Sequence, residues 1–483
     1  MSINVTTDRW LVKMKNVLSE ENKMIMVSII ISIVSVFSPY IGISIMAVLA
    51  CKYAFEKNYK TVLFFVCIIL FQNMTAIVGA YRFNRVSTTL FLLMKEIMIY
   101  GCVSIGLIRM RKVGKGLLSM LFFGCLLGTS FLLSDAPFMS RFISLRELLL
   151  PFVCFGFGYV IQLSDKQFRG LVNFIVKSAM VVGLIGLMEK VFWGMKIWEI
   201  LPLNQYNINK GTEFSFYRDV IPMNYVTFDF LQITGKTMER LVSIFADPLI
   251  TGHYLFLAFL LADYYSKKNV FIKLFLIITS LLTLSKGIML SFIIYGVFSV
   301  IKLFKYSDMK KLMRWSCIVF SIGLVVFYRF MMAYAPNSAT IIHINGFIRG
   351  LSNLSVLGSG LGKAGTITGA TTGTAKSLLA AESYIGVLII QVGLVGFAFF
   401  AYSWFEVFRV MFKTMKIKKN SIVASICVEL ISVMIESLFS ESAITIVGTG
   451  LTFILAGYVY KNIKNNTCEV YDESRNYNIS CSN

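Results

Sequence analysis

Histidine is almost absent from this 483-residue chain, with two copies, proline occurs only seven times, and 25 acidic residues face 46 lysines and arginines. Charged residues make up 15% of the sequence, against roughly a quarter in a soluble domain. That scarcity excludes an ordinary soluble fold, and a hydrophobic content of 57% excludes disorder. Two histidines with no cysteine beside them argue against a conventional zinc site. None of the nine cysteines falls in the long polar connections at 189–248 and 336–382, so no disulfide framework is expected there. A basic leader precedes the first apolar run, but no small-residue cleavage site follows it, so no cleavable signal peptide is expected.

What the chain does have is apolar sequence, with mean hydropathy +0.74. Runs at 24–38, 40–55, 61–80, 87–108, 116–134, 147–161, 171–188, 249–264, 270–284, 287–304, 316–333, 383–405, 422–438 and 444–460 predict about fourteen transmembrane helices in an all-α polytopic membrane protein. The first two are short and meet at Pro39, which suggests a tight hairpin or a partly inserted pair. The bundle then occupies 24–460, between a 1–23 N-terminal segment and a polar, disordered 461–483 tail.

The surplus of 21 positive charges orients this bundle. Dense clusters such as Arg109, Arg111, Lys112 and Lys115, or Lys302, Lys305, Lys310, Lys311 and Arg314, fall on the face shared by both termini. By the positive-inside rule both ends are cytoplasmic. The surplus therefore faces anionic lipid and implies no nucleic-acid partner. The long connections at 189–248 and 336–382 then lie outside, as do all seven prolines. Irregular outer segments are where binding and chemistry are expected. They carry Lys190, Lys196, Lys210, Arg218, Lys236, Arg240, Arg329, Arg349, Lys363 and Lys376. These are either ordinary solvated residues or the lining of an anion site, for which arginine forks suit phosphate.

Other features carry weaker signals. GSGLGKAGTITGATTG (358–373) contains GxGxxG at Gly360, Gly362 and Gly365. It lacks the strand and βαβ unit of a dinucleotide fold, and Ala364 follows Lys363 where a P-loop needs Ser or Thr. A mobile loop, or amides approaching a phosphate, remains open. Lys95 and Glu96 are neighbours on different helix faces and need other partners. Glu429 and Glu436, seven apart, share a face, with Lys177 and Lys273 as candidate counter-ions. Intramembrane charge marks either function or structural ion pairs.

The most specific signal is ESYIGVLIIQVGLVGF, in which Glu382-Ser383 is followed after nine residues by Gly393 and then Gly396. With RLVSIFADPLITGHYL (Arg240, Asp247, Pro248, Gly252), TLSKGIML (Ser285, Lys286, Gly287), and Arg349 ahead of Gly360, it resembles the O-antigen ligase and polymerase superfamily in the same chain order. The likeness runs from Arg240 to Phe399. Family ligases carry histidine where Glu382 stands, so glutamate here favours a polymerase. Lys286 replaces an arginine common in relatives, which keeps the charge and loses the fork.

The resemblance implies an enzyme, a polymerase of undecaprenyl-pyrophosphate-linked oligosaccharide repeats for capsule, exopolysaccharide or O-antigen, on the outer face of the bacterial cytoplasmic (inner) membrane. Arg240 and Arg349, supported by Lys286, are expected to hold the pyrophosphate. Glu382 is the expected base, although the positive end of a helix favours its anion, so that it orients the attacking hydroxyl rather than fully deprotonating it. His343 and His253 stand in reserve. No metal or cofactor is expected, because the donor is already activated. Partners would be the lipid-linked oligosaccharide, membrane lipids, a chain-length regulator and a flippase. The rival readings are a flippase or transporter for the same lipid, and an O-antigen-type ligase using another acceptor.

Overall fold

The computed structural model describes residues 19–109, 115–211, 216–217, 221–227, 235–265, 269–301, 322–323, 325–326, 328–334, 339–365, 382–418 and 421–464. Arg218, Lys376, most of the expected 316–333 span, and the ends before 19 and beyond 464 lie outside those residues.

The protein is mostly helical. It begins with α1 (Glu20–Phe37), α2 (Pro39–Glu56), α3 (Tyr59–Val78), α4 (Arg85–Ile108), α5 (Lys115–Leu133), α6 (Phe138–Val160) and α7 (Asp165–Met188). A π-turn at Glu189–Trp193 leads to the short helices α8 (Lys196–Ile200) and α9 (Leu203–Lys210). Then come α10 (Pro248–Tyr265), α11 (Val270–Leu281), α12 (Lys286–Ile301), α13 (Ala339–Ser352), α14 (Tyr384–Lys418), α15 (Ser421–Glu436) and α16 (Gly450–Lys464). Two antiparallel pairs, Phe216–Tyr217 with Ile221–Pro222 and Val226–Thr227 with Met238–Glu239, correct the all-α expectation in a small way.

Among the described residues, six helical stretches are long and apolar enough to cross a membrane: Tyr59–Val78, Arg85–Ile108, Lys115–Leu133, Phe138–Val160, Asp165–Trp193 and Tyr384–Met415. α10, α11 and α12 are apolar but shorter. α1 and α2 form the hairpin expected at Pro39, with Gly42 packed directly on Ser35. Position in the bundle follows from how the apolar residues are distributed round each helix. α3 is apolar on all sides, and Leu63, Phe64, Phe65, Val66 and Cys67 are fully enclosed, which makes it a core helix. α10 is the same, from Tyr254 to Ala262. α5 instead turns much of its apolar surface outward, with Leu118, Phe122, Leu132 and Leu133 exposed.

Apolar helices in lipid gain little from the hydrophobic effect and associate through close packing, so small residues mark the contacts. The tightest lies between α6 and α16. A Cβ on Gly158 would sit 1.8 Å from the Ile454 carbonyl oxygen, and one on Gly457 would sit 1.9 Å from that of Phe155. The two backbones touch, with Tyr460 edge-on to Phe155 and Phe152 stacked on Trp404 beside them. The expected 444–460 span is corrected here. Its first residues are non-helical, because Thr449 Oγ1 accepts from the Thr445 amide and donates to the Ala443 carbonyl, and the helix starts only at Gly450.

The described residues of the connection at 189–248 form a folded cap. Glu189 accepts from the Trp198 indole at 3.0 Å and from the Ser243 amide at 2.6 Å. Asn209 donates to the carbonyls of Ala80 and Phe83, both at 2.7 Å, and Tyr225 donates to that of Ala246 at 2.8 Å.

Gly158→Val and Gly457→Val should each lower Tm in detergent by the equivalent of about 1–3 kcal/mol or more, since backbone cannot yield as a side chain does. Gly128→Val, with nothing within 4 Å of its Cβ position, should leave Tm unchanged.

Candidate functional site

The site is organised by an interrupted helix. Ser383 caps α14, its hydroxyl accepting from the Gly386 amide at 2.9 Å, so Glu382 stands just outside the first turn. The Ile385 amide donates to the Ser437 carbonyl at 3.1 Å, which docks the end of α15 against the start of α14. Nine residues on, Gly393 adopts φ 66 and ψ −166 and breaks the helix. The freed carbonyls of Ile390 and Gln391 accept from the Ser359 and Gly360 amides, at 2.8 and 3.0 Å. The freed amides of Leu394 and Val395 donate to the Ser355 and Val356 carbonyls, at 2.9 and 3.2 Å. The glycine-rich stretch therefore fills the break.

In its described part, 358–365, the Ser359 and Gly360 amides are used by this break and so do not face a phosphate; 366–373 lie outside the described residues. Gly358, Gly360, Gly362 and Gly365 all have positive φ, between 80 and 111. They are glycines because the backbone runs left-handed against neighbours: a Cβ on Gly358 would meet the Gly393 nitrogen at 2.6 Å. The far side is held by Ser134, which donates to the Leu361 carbonyl at 2.7 Å, and by Gln391, which donates to that of Ala364 at 2.7 Å. Lys363 forms an ion pair with Asp135 and holds that carboxyl below its usual range.

α13 crosses the start of α14 on two glycines. A Cβ on Gly346 would lie 2.6 Å from the Glu382 nitrogen, and one on Gly350 would lie 2.5 Å from the Gly386 Cα. His343, Gly346 and Gly350 recur at i, i+3 and i+7 and so share one helix face. The packing brings His343 Nδ1 to 3.0 Å from Glu382 Oε2, with both side chains 35% exposed. The connection at 336–382 thus contributes a helix as well as irregular chain. Arg349, on the same helix and exposed, lies about 120° round from His343 and about 9 Å further along.

Beneath this dyad is a second cluster, fully buried. His253 of α10 lies between two carboxylates of α15, with Nε2 3.0 Å from Glu436 Oε2 and Nδ1 3.5 Å from Glu429 Oε1. Glu436 also packs on Gly287, at the residue after Lys286. Sequence reasoning offered Lys177 and Lys273 as counter-ions. Lys273 instead pairs with Asp263 at 2.8 Å, and the partner of both glutamates is His253. The seven-residue spacing of the glutamates and the rarity of histidine were the available signals. Lys95 and Glu96 do find separate partners, Gln72 at 2.8 Å and Arg146 at 3.4 Å.

Arg240 joins the same end of the bundle. Its amide donates to the Tyr225 carbonyl at 2.8 Å, and the next amide, of Leu241, donates to that of Leu282 at 3.0 Å, just ahead of Lys286. The Arg240 segment is thus bonded to the end of α11, while Gly287 meets Glu436, and Ser437 holds the start of α14 beside Glu382. The structure brings the Glu382 and His343 side chains together, places Arg349 on the same helix as His343, and places Lys286 beside the glycine on which Glu436 packs.

No family model matches the chain, and no curated protein matches it at a significant level. Function is therefore read from the residues themselves.

In hydrogen exchange, the Ser359 and Gly360 amides should be protected to the level of neighbouring helices, because they are paired into the break. Gly393→Ala, which forces a side chain into a backbone region that costs about 1–3 kcal/mol, should raise exchange there and at 390–395 while leaving α3 protected.

Proposed function

We propose that the protein is a membrane-embedded glycosyltransferase that polymerises undecaprenyl-pyrophosphate-linked oligosaccharide repeats on the outer face of the bacterial cytoplasmic membrane. The observation that carries this reading is the solvent-accessible Glu382–His343 dyad, with Arg349 on the same helix as His343.

The dyad divides the work that Glu382 alone would do poorly. A neutral imidazole that donates Nδ1–H to the Glu382 carboxylate presents its other nitrogen, Nε2, as a base. The carboxylate fixes the tautomer and stabilises the imidazolium that forms, as in other carboxylate–imidazole pairs. The hydroxyl oxygen of the acceptor repeat attacks the anomeric carbon of the donor chain. Its proton passes to His343 Nε2, and the bond from that carbon to the pyrophosphate oxygen breaks. The leaving group departs as lipid pyrophosphate, its growing negative charge met by Arg240, Arg349 and Lys286. Arg349 stands away from His343 along α13, as suits a group that binds the leaving side while the base serves the attacking side.

A second reading, a proton-coupled transporter of the same lipid, is favoured by the buried His253, Glu429 and Glu436, because ionisable groups at such depth recur in proton pathways. Gene deletion separates the two: a missing polymerase leaves single repeats displayed at the surface, and a missing transporter leaves none.

With purified protein and a defined lipid-linked repeat, Glu382→Gln and His343→Ala should each slow chain growth by about 10²–10⁴-fold, the usual contribution of a positioned base. The double variant should be no slower than the worse single one, since the pair acts as a unit. Unchanged polymer length and amount in both single variants, at normal protein levels, would remove the dyad from the mechanism.

A further inference from the structure

The cap over the bundle encloses a polar pocket that the proposed chemistry does not use. It lies between α9 and the start of α10, has a volume of about 410 Å³ counted out to its mouth, and is lined by Asn73, Tyr206, Asn207, Lys210, Asn224 and Asp247 together with apolar neighbours. As a cavity it measures about 60 Å³, far below the roughly 300–1,000 Å³ of a pocket that takes a whole ligand. The rest is open mouth, which suits one edge of a small ring rather than a whole oligosaccharide.

Most polar groups in the cap have internal partners. Asn73 donates to the Phe245 carbonyl at 2.8 Å, and Asp247 Oδ1 accepts from the Leu249 and Ile250 amides at 2.8 and 3.0 Å. Two groups in the pocket lining do not: Asn207 Nδ2 and Asn224 Oδ1 are buried without any hydrogen-bond partner. Asn207 is only 4% exposed, so water on the surface does not serve it. A buried amide left this way costs about 1–3 kcal/mol, a cost that a ligand bonding to it would remove.

The chemistry of the lining selects the ligand. One orphan group is a neutral donor and the other a neutral acceptor, which is the complement of a hydroxyl, itself both acceptor and donor. Lys210 disfavours a cation in the pocket and Asp247 disfavours an anion. The Tyr206 ring, with the Lys210 ammonium 5.9 Å from its centre, adds an aromatic face. A neutral polyhydroxyl ring satisfies all of these at once.

We infer that this pocket is a saccharide subsite that takes the hydroxyl edge of one sugar through Asn207 and Asn224. Asp247 directly precedes α10, and His253 stands six residues further on, less than two helical turns away. The inference deepens the proposed function by giving the repeat unit a holding point apart from the reacting dyad. Its substrate would be a sugar away from the anomeric centre that reacts.

The test uses the full chain in lipid nanodiscs and a panel of free monosaccharides: neutral hexoses, 6-deoxyhexoses, N-acetylhexosamines and uronic acids. Trp198 reports on the pocket, because its ring lies edge-on to Tyr225 at 5.3 Å and Tyr225 forms part of the lining. At least one neutral sugar should give a saturable fluorescence change. Asn207→Ala and Asn224→Ala should each weaken its binding about tenfold, the equivalent of about 1.4 kcal/mol, while Glu382→Gln leaves it unaltered. Asn207→Asp, which keeps the shape and loses the donor, guards against misreading a folding defect. No saturable response to any sugar, a response equally strong in all three asparagine variants, or a preference for uronic acids overturns the subsite. Failure of the polymerase reading looks different: sugar binding that depends on Asn207 persists, but no lipid-linked repeat is ever joined to another.

Discussion

The arrangement at the loop-rich end depends on the rule that a backbone polar group buried from water must be bonded. α14 breaks this rule at Gly393 and restores it with a second segment of chain. In lipid, irregular backbone survives only where protein covers it. The four hydrogen bonds from 355–360 to 390–395 do so, and they fix where 358–365 must lie. That in turn anchors the end of α13, which reaches Ser352 just before the first of these bonds. The position of His343 relative to Glu382 is thus set by backbone geometry as well as by its own contact.

The cap at 189–248 follows the same rule with different means. Its helices are too short to satisfy their own ends, since helix termini leave unpaired groups on each side. Buried side chains, Glu189, Asn209 and Tyr225 among them, bond to backbone instead. Such a cap is rigid where it is fully bonded, and its pocket occurs where two asparagines have no such partner. On the proposed function, such bonding beside α10 would serve the transfer, because positioning supplies much of the catalysis when the donor is already activated.

The helical, apolar character was legible in hydropathy alone, and six of the described helices are long and apolar enough to cross a membrane, against about fourteen expected spans. Boundaries blurred where side chains overrode that signal. α6 extends back to Phe138, through Arg141, Arg146 and Glu147, because Arg146 is paired with Glu96 and Arg141 Nη1 donates to the Phe131 carbonyl at 2.9 Å. At the site, Glu382, His343 and the glycine pair at Gly393 and Gly396 were all visible as residues. Their geometry was not, since the pairing of 358 with 393 joins segments that local pattern treats as independent. The packing of 358–365 was hidden for that reason: positive φ can serve a ligand or a neighbouring backbone, and sequence does not distinguish them. His253 was equally hidden, because its partners lie on a helix that starts far along the chain.

The same end of the bundle carries two imidazole–carboxylate arrangements that differ in access to water. At 35% exposure, the His343–Glu382 dyad can exchange a proton with solvent and with a bound hydroxyl. His253, Glu429 and Glu436 are at most 5% exposed, and removing one partner from a buried pair costs about 3–5 kcal/mol because a charge is stranded. A group so enclosed is poorly placed to trade protons during each cycle and well placed to lock α10 to α15. Glu436 bears on Gly287, while Ser437, the next residue, bonds to the start of α14, so the lock also sets the height at which Glu382 emerges. The buried cluster then acts as the foundation of the exposed one. This arrangement suits a stationary catalytic site better than a carrier that must open and close around the same charges.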